Sequence, residues 1–165
     1  MAVTSTYEKF LHQVGDIYDA EHNFLELYHR AVEQATNEKL RSAIQQHVEE
    51  TRQHIQNLEQ VYDLLEAAHE RETCEAAQGL VEEARKSIQE AGNEALRDWS
   101  IKLSIDRTDH YEIAAYQSLI MHAQMAGRND IADLLQQNLQ QEEQMAQFTG
   151  DSAQELLRAA MEASS

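Results

Sequence analysis

The stretch Asp106-Arg-Thr-Asp-His-Tyr-Glu-Ile-Ala-Ala-Tyr116 places acids where a buried helix would ordinarily carry apolar residues. At about 100° per residue, Glu112 shares a face with Ile105 and Leu119, and Asp109 lies at the edge of that face. An unpaired carboxylate is costly to remove from water, so a core helix with two such acids is expected to meet a cation. Because Glu112 lies nearest the middle of the stripe, we expect it to bridge two ions.

The composition predicts one all-α domain that spans residues 1–165. Proline is absent, there are five glycines, and Ala, Leu, Glu and Gln dominate, which is typical of helical proteins. The 13 basic and 30 acidic residues give a net charge of −17, which repels nucleic acids and anionic membranes and favours metal cations. The single Cys74 excludes an internal disulfide. With no signal peptide or membrane span in the pattern, we expect a cytoplasmic protein.

Apolar residues at helical spacing predict four long helices. Ser5-Thr-Tyr-Glu8 forms a capping box that opens the first, and Thr36-Asn37 breaks the pattern and caps the second. The third runs from about 94 to 126 and stops at Gly127, and the fourth follows a tight corner at Arg128-Asn129. So short a connection between the first two helices predicts an antiparallel hairpin.

The connection between the second and third helices is too long for a tight turn. It contains a loop at His69–Cys74 and a short amphipathic helix at Ala76–Glu90, which Gly92-Asn93 is expected to close as a C-cap. A connection of this length can travel back along the bundle, as in ferritin-like folds. We also expect Gly150 to end the fourth helix and Ser152-Ala-Gln-Glu155 to cap a short C-terminal helix.

The first two helices carry further candidate ligands. Glu21 falls on the apolar side of the first helix, where it either faces inward or leans out at the edge of the stripe. On the second helix, His47, Glu50 and His54 lie along one edge at i, i+3 and i+7. That spacing alone fits both a metal site and an ordinary charged surface.

The fourth helix, like the third, carries an acid within its apolar stripe. Glu142 lies at the centre of its apolar stripe, whereas Glu143 points further round. Acids from four helices, together with two histidines, favour a pair of Fe or Mn ions over zinc, because hard oxygen ligands suit the former. The candidate ligands are Glu21, His47, Glu50, His54, Asp109, Glu112 and Glu142. The alternative is a bundle whose edge acids reach solvent or pair with Arg52, Lys102 and Arg107.

Six segments, in order along the chain, together resemble the YciE/YciF family of bacterial stress proteins. They are Asp16–Glu21, His47–Thr51, Asn57–Val61, Cys74–Leu80, Asp109–Tyr116 and Leu139–Glu143. The resemblance covers residues 10–148 and implies a ferritin-like four-helix domain that is related to rubrerythrins and forms a homodimer.

The resemblance to rubrerythrins implies metal ligands at Glu21, at Glu50, at the pair Asp109 and Glu112, and at Glu142 or Glu143. The histidines depart from that pattern. The Glu-x-x-His of the second helix is Glu50-x-x-Gln53 here, and the fourth helix has no histidine, so His47 or His54 would substitute.

Two functions fit these features. The first is a stress protein with two Fe or Mn ions that oxidises Fe(II) with oxygen or peroxide. The second is a metal-independent bundle that works through association, with residues 76–90 and 151–163 as docking surfaces.

Overall fold

The computed structural model describes residues 2–165, and within that range every regular element is a helix. The five helices are α1 (Thr6–Gln34), α2 (Glu38–Leu64), α3 (Glu75–Gln89), α4 (Glu94–Met125) and α5 (Asn129–Ala163). The four long helices pack as a bundle, and the shorter α3 lies against α1 and α4. The predicted all-α four-helix bundle is therefore confirmed. None of the helices in the described range has the length and apolarity that a membrane crossing requires.

Three of the helices begin at the polar caps that their sequences supply. The side-chain oxygens of Ser5, Asn37 and Asn93 each accept a hydrogen bond from the backbone N–H three residues later, at 3.1, 3.0 and 2.8 Å. Each cap satisfies an N–H group that has no partner within its helix. The prediction that Asn93 belongs to the C-cap of the crossover helix was wrong: α3 ends at Gln89, and Asn93 starts α4.

The ends of the helices show how the chain is threaded. Asp98, near the start of α4, accepts hydrogen bonds from the backbone N–H groups of Thr36 and Asn37, at 2.8 and 2.9 Å. Arg128, at the start of α5, donates to the carbonyl of Leu64 at the end of α2, at 3.0 Å. Because α4 begins where α1 ends, the connection through α3 carries the chain back along the bundle. This is the single crossover that the length of the connection predicted.

The crossover is held against α1 by close backbone contacts. The N–H of Glu72 donates to the carbonyl of Gly15 at 3.1 Å, and a Cβ on Gly15 would lie 2.7 Å from a carbon of the Glu72 side chain. The N–H of Cys74 donates to Asp19 at 2.9 Å, while the Cys74 thiol caps α3 by accepting from the N–H of Ala77 at 3.4 Å. Cys74 is therefore a structural residue.

The predicted break at Gly150 and the separate C-terminal helix were wrong, because α5 continues without interruption to Ala163. A glycine inside a helix costs only about 1 kcal/mol relative to alanine. Tertiary contacts on both sides outweigh that cost. Before the glycine, Thr149 is buried and donates to Asp106 at 2.6 Å; after it, Leu156 and Ala160 are buried.

Candidate metal centre

A band of polar side chains crosses the core of the bundle. Six of the seven candidate ligands have 0% of their surface exposed: Glu21, His47, His54, Asp109, Glu112 and Glu142. They come from all four long helices. Glu21 therefore faces inward, and Glu142 is the inward acid of the fourth long helix, because Glu143 is exposed.

The six side chains form two groups that share one member. Within each group, one potential ligand atom per residue lies within 4.8 Å of all the others; the groups are His47, Asp109, Glu112 and Glu142, and Glu21, His54 and Glu142. The two oxygens of Glu142 face different histidines, with Oε2 3.6 Å from His47 Nε2 and Oε1 3.0 Å from His54 Nδ1. Glu142, rather than the expected Glu112, is thus the residue common to both groups.

These six residues also hold every buried side-chain nitrogen or oxygen that lacks a hydrogen-bond partner in residues 2–165. There are eight such atoms, one or two from each residue: Glu21 Oε2, His47 Nε2, His54 Nδ1, both oxygens of Asp109, Glu112 Oε1 and both oxygens of Glu142. A buried polar atom without a partner costs about 1–3 kcal/mol, and more if it is charged. Two of the eight atoms, His54 Nδ1 and Glu142 Oε1, lie 3.0 Å apart but are not aligned as a hydrogen bond. Because all eight belong to the two groups, a shared ligand is the simplest partner for them.

The basic residues that were considered as alternative partners for the buried acids pair elsewhere. Lys102 Nζ lies 2.6 Å from Asp106, which is partly exposed. Arg107 lies 3.6 Å from the exposed Glu83, and Arg52 pairs with Glu49 on its own helix. None of the three pairs with a candidate ligand, so the alternative in which the candidate acids lie at the edge of the bundle and pair with Arg52, Lys102 and Arg107 was wrong.

Each histidine has one nitrogen engaged outside the groups and the other directed into them. His47 Nδ1 lies 3.2 Å from Glu50 Oε2, and its Nε2 lies 3.5 Å from Asp109 Oδ1. His54 Nε2 lies 2.8 Å from Gln141 Oε1, and its Nδ1 lies 3.3 Å from Glu21 Oε1. Both histidines therefore present a ring nitrogen to the two groups, whereas the spacing on α2 alone could not choose between His47 and His54.

Glu50 is the predicted site residue that the structure does not bring into either group. Its side chain is 15% exposed, one of its oxygens faces His47, and the other accepts a hydrogen bond from Gln46 at 2.8 Å. It lies behind the imidazole, on the side away from the other acids.

Burial governs the acids in the metal-free chain. Removal from water raises the pKa of Asp109 to about 7. Burial, reinforced by the neighbouring carboxylates of Glu142 and Glu21, raises the pKa of Glu112 well above its usual range. Burial also opposes ionisation of Glu142, but His47 and His54 outweigh it and lower the pKa of that carboxyl. The shared residue Glu142 therefore ionises more readily than Asp109 or Glu112.

The pKa values of the two histidines are raised as well, which favours their charged form. Burial alone would lower the pKa of each imidazole, but the surrounding carboxylates outweigh it. Glu142, Asp109 and Glu50 raise the pKa of His47 well above its usual range, and Glu21 and Glu142 raise the pKa of His54 to about 10. Without metal, protons on the imidazoles thus partly neutralise the acids, and a bound cation would displace them.

Two fully buried tyrosines, Tyr116 and Tyr28, contact the carboxylates of Glu21 and Glu112. The Tyr116 hydroxyl donates to Glu21 Oε1 and accepts from Asn138 Nδ2 at 3.1 Å. The Tyr28 hydroxyl lies 2.7 Å from Thr108 Oγ1 and 3.4 Å from Glu112 Oε2. Burial raises the pKa of both phenols well above the usual value, so they remain protonated donors.

The supporting residues Tyr28, Gln141 and Asn138 were not singled out in the sequence. Tyr28 follows the apolar pattern of α1, and Gln141 belongs to a run of polar residues in α5. Asn138 did offer a signal, because it is a polar residue at helical spacing from Ile131 and Leu135, and the structure buries it fully. The contacts of all three depend on the register between helices, which periodicity does not give.

The donor set fits Fe or Mn. The two groups together offer four carboxylates and two imidazole nitrogens, with no thiolate. Oxygen-rich sites with some imidazole suit these metals, whereas structural zinc sites use four ligands that are mostly thiolate and imidazole. Carboxylates and histidines that project inward from four helices are the usual arrangement of dinuclear sites in bundles.

Comparisons with known proteins agree with the fold and place the chain in a family. The family model "Domain of unknown function (DUF892)" matches residues 5–162. Protein YciF of Escherichia coli K12 is 31% identical over 143 residues, which is 86% of each chain.

Two solved structures match closely. The crystal structure of the E. coli stress protein YciF has a TM-score of 0.89 at 29% identity, over 94% of this chain and 99% of that one. YcfI from Rhodopseudomonas palustris, described as a candidate structural protein, has a TM-score of 0.87 at 32% identity, over 90% of this chain and 94% of that one. The chain therefore belongs to the DUF892 family, the family of YciF.

Proposed function

We propose that this protein holds two Fe or Mn ions in the core of its bundle and oxidises Fe(II) with oxygen or peroxide. We further propose that it acts in the cytoplasm, as a homodimer, in a bacterial stress response. The observation that carries the metal proposal is the set of eight buried atoms without partners, all of which belong to two adjoining groups. The description of YciF as a stress protein supports the physiological part.

One ion would be held by His47, Asp109 and Glu112, the other by Glu21 and His54, and Glu142 would serve both. When bound, the metal pair supplies the electron transfer between Fe(II) and the oxidant. The remaining contributions come from the chain. The carboxylates neutralise the added positive charge, and the complete burial of the six ligands keeps bulk water away from them.

The electrostatics of the chain favour a cationic substrate. The net charge of −17 attracts Fe(II) and raises its concentration near the surface. At the centre, Tyr28 and Tyr116 hold one oxygen each of Glu112 and Glu21, and the second oxygen of each acid has no hydrogen-bond partner in the described residues.

The test combines metal content with turnover. Metal-free protein is loaded with Fe(II) without oxygen, metal per chain is measured by plasma mass spectrometry, and Fe(II) oxidation is followed after oxygen or peroxide is added. We expect two ions per chain and oxidation faster than in buffer. Glu142→Gln should lose both properties, while Glu143→Gln, which alters the exposed neighbouring acid, should keep them. Less than one tightly bound ion per wild-type chain would refute the proposal.

Association without metal is the second candidate function, and one surface feature favours it. Near the end of α5, Leu157 is 40% exposed and Met161 is 65% exposed, so apolar surface is available to a partner. The description of YcfI as a candidate structural protein is consistent with such a role. If association is the function, Leu157→Ser with Met161→Ser should abolish assembly in light scattering, and chelation should leave it unchanged.

A further inference from the structure

We infer that Glu50 and Gln141 are positioning residues that make the two metal positions unequal. The position at His47 holds its ion more tightly than the position at His54, which releases its ion more readily. This inference rests on the proposed function, because it concerns how the same two groups hold metal.

Both residues fix the proton on the outer nitrogen of an imidazole. An ionised carboxylate can only accept hydrogen bonds. His47 Nδ1 therefore donates a hydrogen bond to Glu50 Oε2, at 3.2 Å. Gln141 Oε1 likewise accepts from His54 Nε2, at 2.8 Å. In each neutral imidazole, the remaining nitrogen therefore directs its lone pair into a group of ligands.

The two partners differ in charge, which is the basis of the inequality. A hydrogen bond to a carboxylate is roughly twice as strong as one between neutral groups. A carboxylate behind an imidazole also makes that imidazole a more basic metal ligand. Glu50 therefore strengthens the ligand atom of His47, whereas the neutral amide of Gln141 orients His54 without that gain.

The number of carboxylates in each group also favours tighter binding at His47. The group of His47 has three carboxylates, from Asp109, Glu112 and Glu142, whereas the group of His54 has two, one of which is the shared Glu142. A divalent ion is thus bound by more negative charge at the first position. The second position would then be the one at which Fe(II) binds as substrate and from which it leaves as Fe(III), after its electron has passed to the oxygen or peroxide.

Glu50 is well suited to its role because it is held in place. Gln46 Nε2 donates to Glu50 Oε1 at 2.8 Å, which leaves Oε2 directed at His47. The 15% exposure of the Glu50 side chain keeps it partly hydrated, so it can remain ionised beside a buried imidazole. The next acid along the helix, Glu49, is exposed and pairs with Arg52, which makes it a matched control.

The test is a calorimetric titration of metal-free protein with Mn(II), which separates the two binding steps without any turnover. Wild type should bind two ions with distinct affinities. Glu50→Gln keeps an acceptor for His47 but removes the charge, so it should weaken the first step by about 10- to 100-fold and leave the second nearly unchanged. Gln141→Glu should tighten the second step by a similar factor, and Glu49→Gln should change neither.

The outcomes separate this inference from the proposed function. Two equal binding steps in wild type, or a Glu50→Gln titration that matches wild type, would overturn the inference even if Fe(II) is oxidised. Two unequal steps with the expected shifts, but no Fe(II) oxidation, would uphold the inference and refute the oxidase. If wild type binds no Mn(II), both are overturned. A Glu50→Gln chain whose metal-free melting temperature matches wild type excludes a merely structural role.

Discussion

Replacing Asp109 by asparagine should stabilise the metal-free protein at neutral and alkaline pH. Burial raises the pKa of this carboxyl from its ordinary 3.8 to about 7 in the folded chain. A carboxyl whose pKa is raised on folding costs nothing below its unfolded pKa, and its cost is fully present above its folded pKa. The difference between 3.8 and about 7 corresponds to about 4 kcal/mol of lost stability, which develops as the pH rises from 4 to 7.

Asparagine keeps the shape of the side chain and cannot ionise, so the mutant should escape this loss. The expected gain at pH 8 is at most about 4 kcal/mol. It is an upper limit because ionised Asp109 also stabilises protonated His47, whose Nε2 lies 3.5 Å from Oδ1. Near pH 4 the two proteins should have nearly equal stability.

The assay is denaturant unfolding of chelator-treated wild type and mutant at several values of pH between 4 and 8. The difference between the two free energies of unfolding isolates Asp109, because most other titrating groups are common to both proteins. Asp106→Asn is the control: its pKa is lowered in the fold through Lys102 and Thr149 despite partial burial, so that mutant should become less stable than wild type as the pH rises. An Asp109→Asn protein that is less stable than wild type throughout the range would refute the desolvated-acid account.

The remaining predictions concern the ligands and the packing of the crossover. His47→Ala and His54→Ala should each remove one of the two ions, as measured by metal analysis, and a mutant that retains both ions would exclude its histidine as a ligand. Glu112→Ala should remove the ion next to His47 yet leave a metal-free bundle at least as stable as wild type, because the lost desolvation cost offsets the cavity; melting curves that show clear destabilisation would instead indicate a structural acid. Gly15→Ala should destabilise the fold by about 1–3 kcal/mol, since its Cβ would lie 2.7 Å from a carbon of the crossover segment, whereas Gly79→Ala, with nothing within 4 Å, should be neutral or stabilise α3 by up to about 1 kcal/mol in denaturant unfolding.

Periodicity was enough to predict most of the fold, because helix formation and burial are local properties of this chain. The acids Glu112 and Glu142 could be recognised as buried from their position in apolar stripes, and the caps at Ser5 and Asn37 from their residue types. The crossover followed from the length of the connection. The continuation of α5 past Gly150 could not be predicted, because it depends on tertiary contacts that outweigh the preference of glycine.

The detail of the site depended on the register between helices. Spacing on α2 placed Glu50 beside His47 but did not show on which side of the imidazole its carboxylate lies. Similarly, the central position of Glu112 in its stripe suggested a bridging role, whereas contacts across the bundle give the shared position to Glu142. Side-chain direction at an interface between helices is set by the partner helix, which a single sequence pattern does not contain.

The most direct test of the two-metal centre is anomalous X-ray diffraction from crystals of protein loaded with Mn(II) or Fe(II). We expect two anomalous peaks in the core, one next to His47, Asp109 and Glu112 and the other next to Glu21 and His54, with the carboxylate of Glu142 between them. Crystals of a fully loaded protein whose anomalous peaks all lie on the surface, with none between the four long helices, would contradict the account.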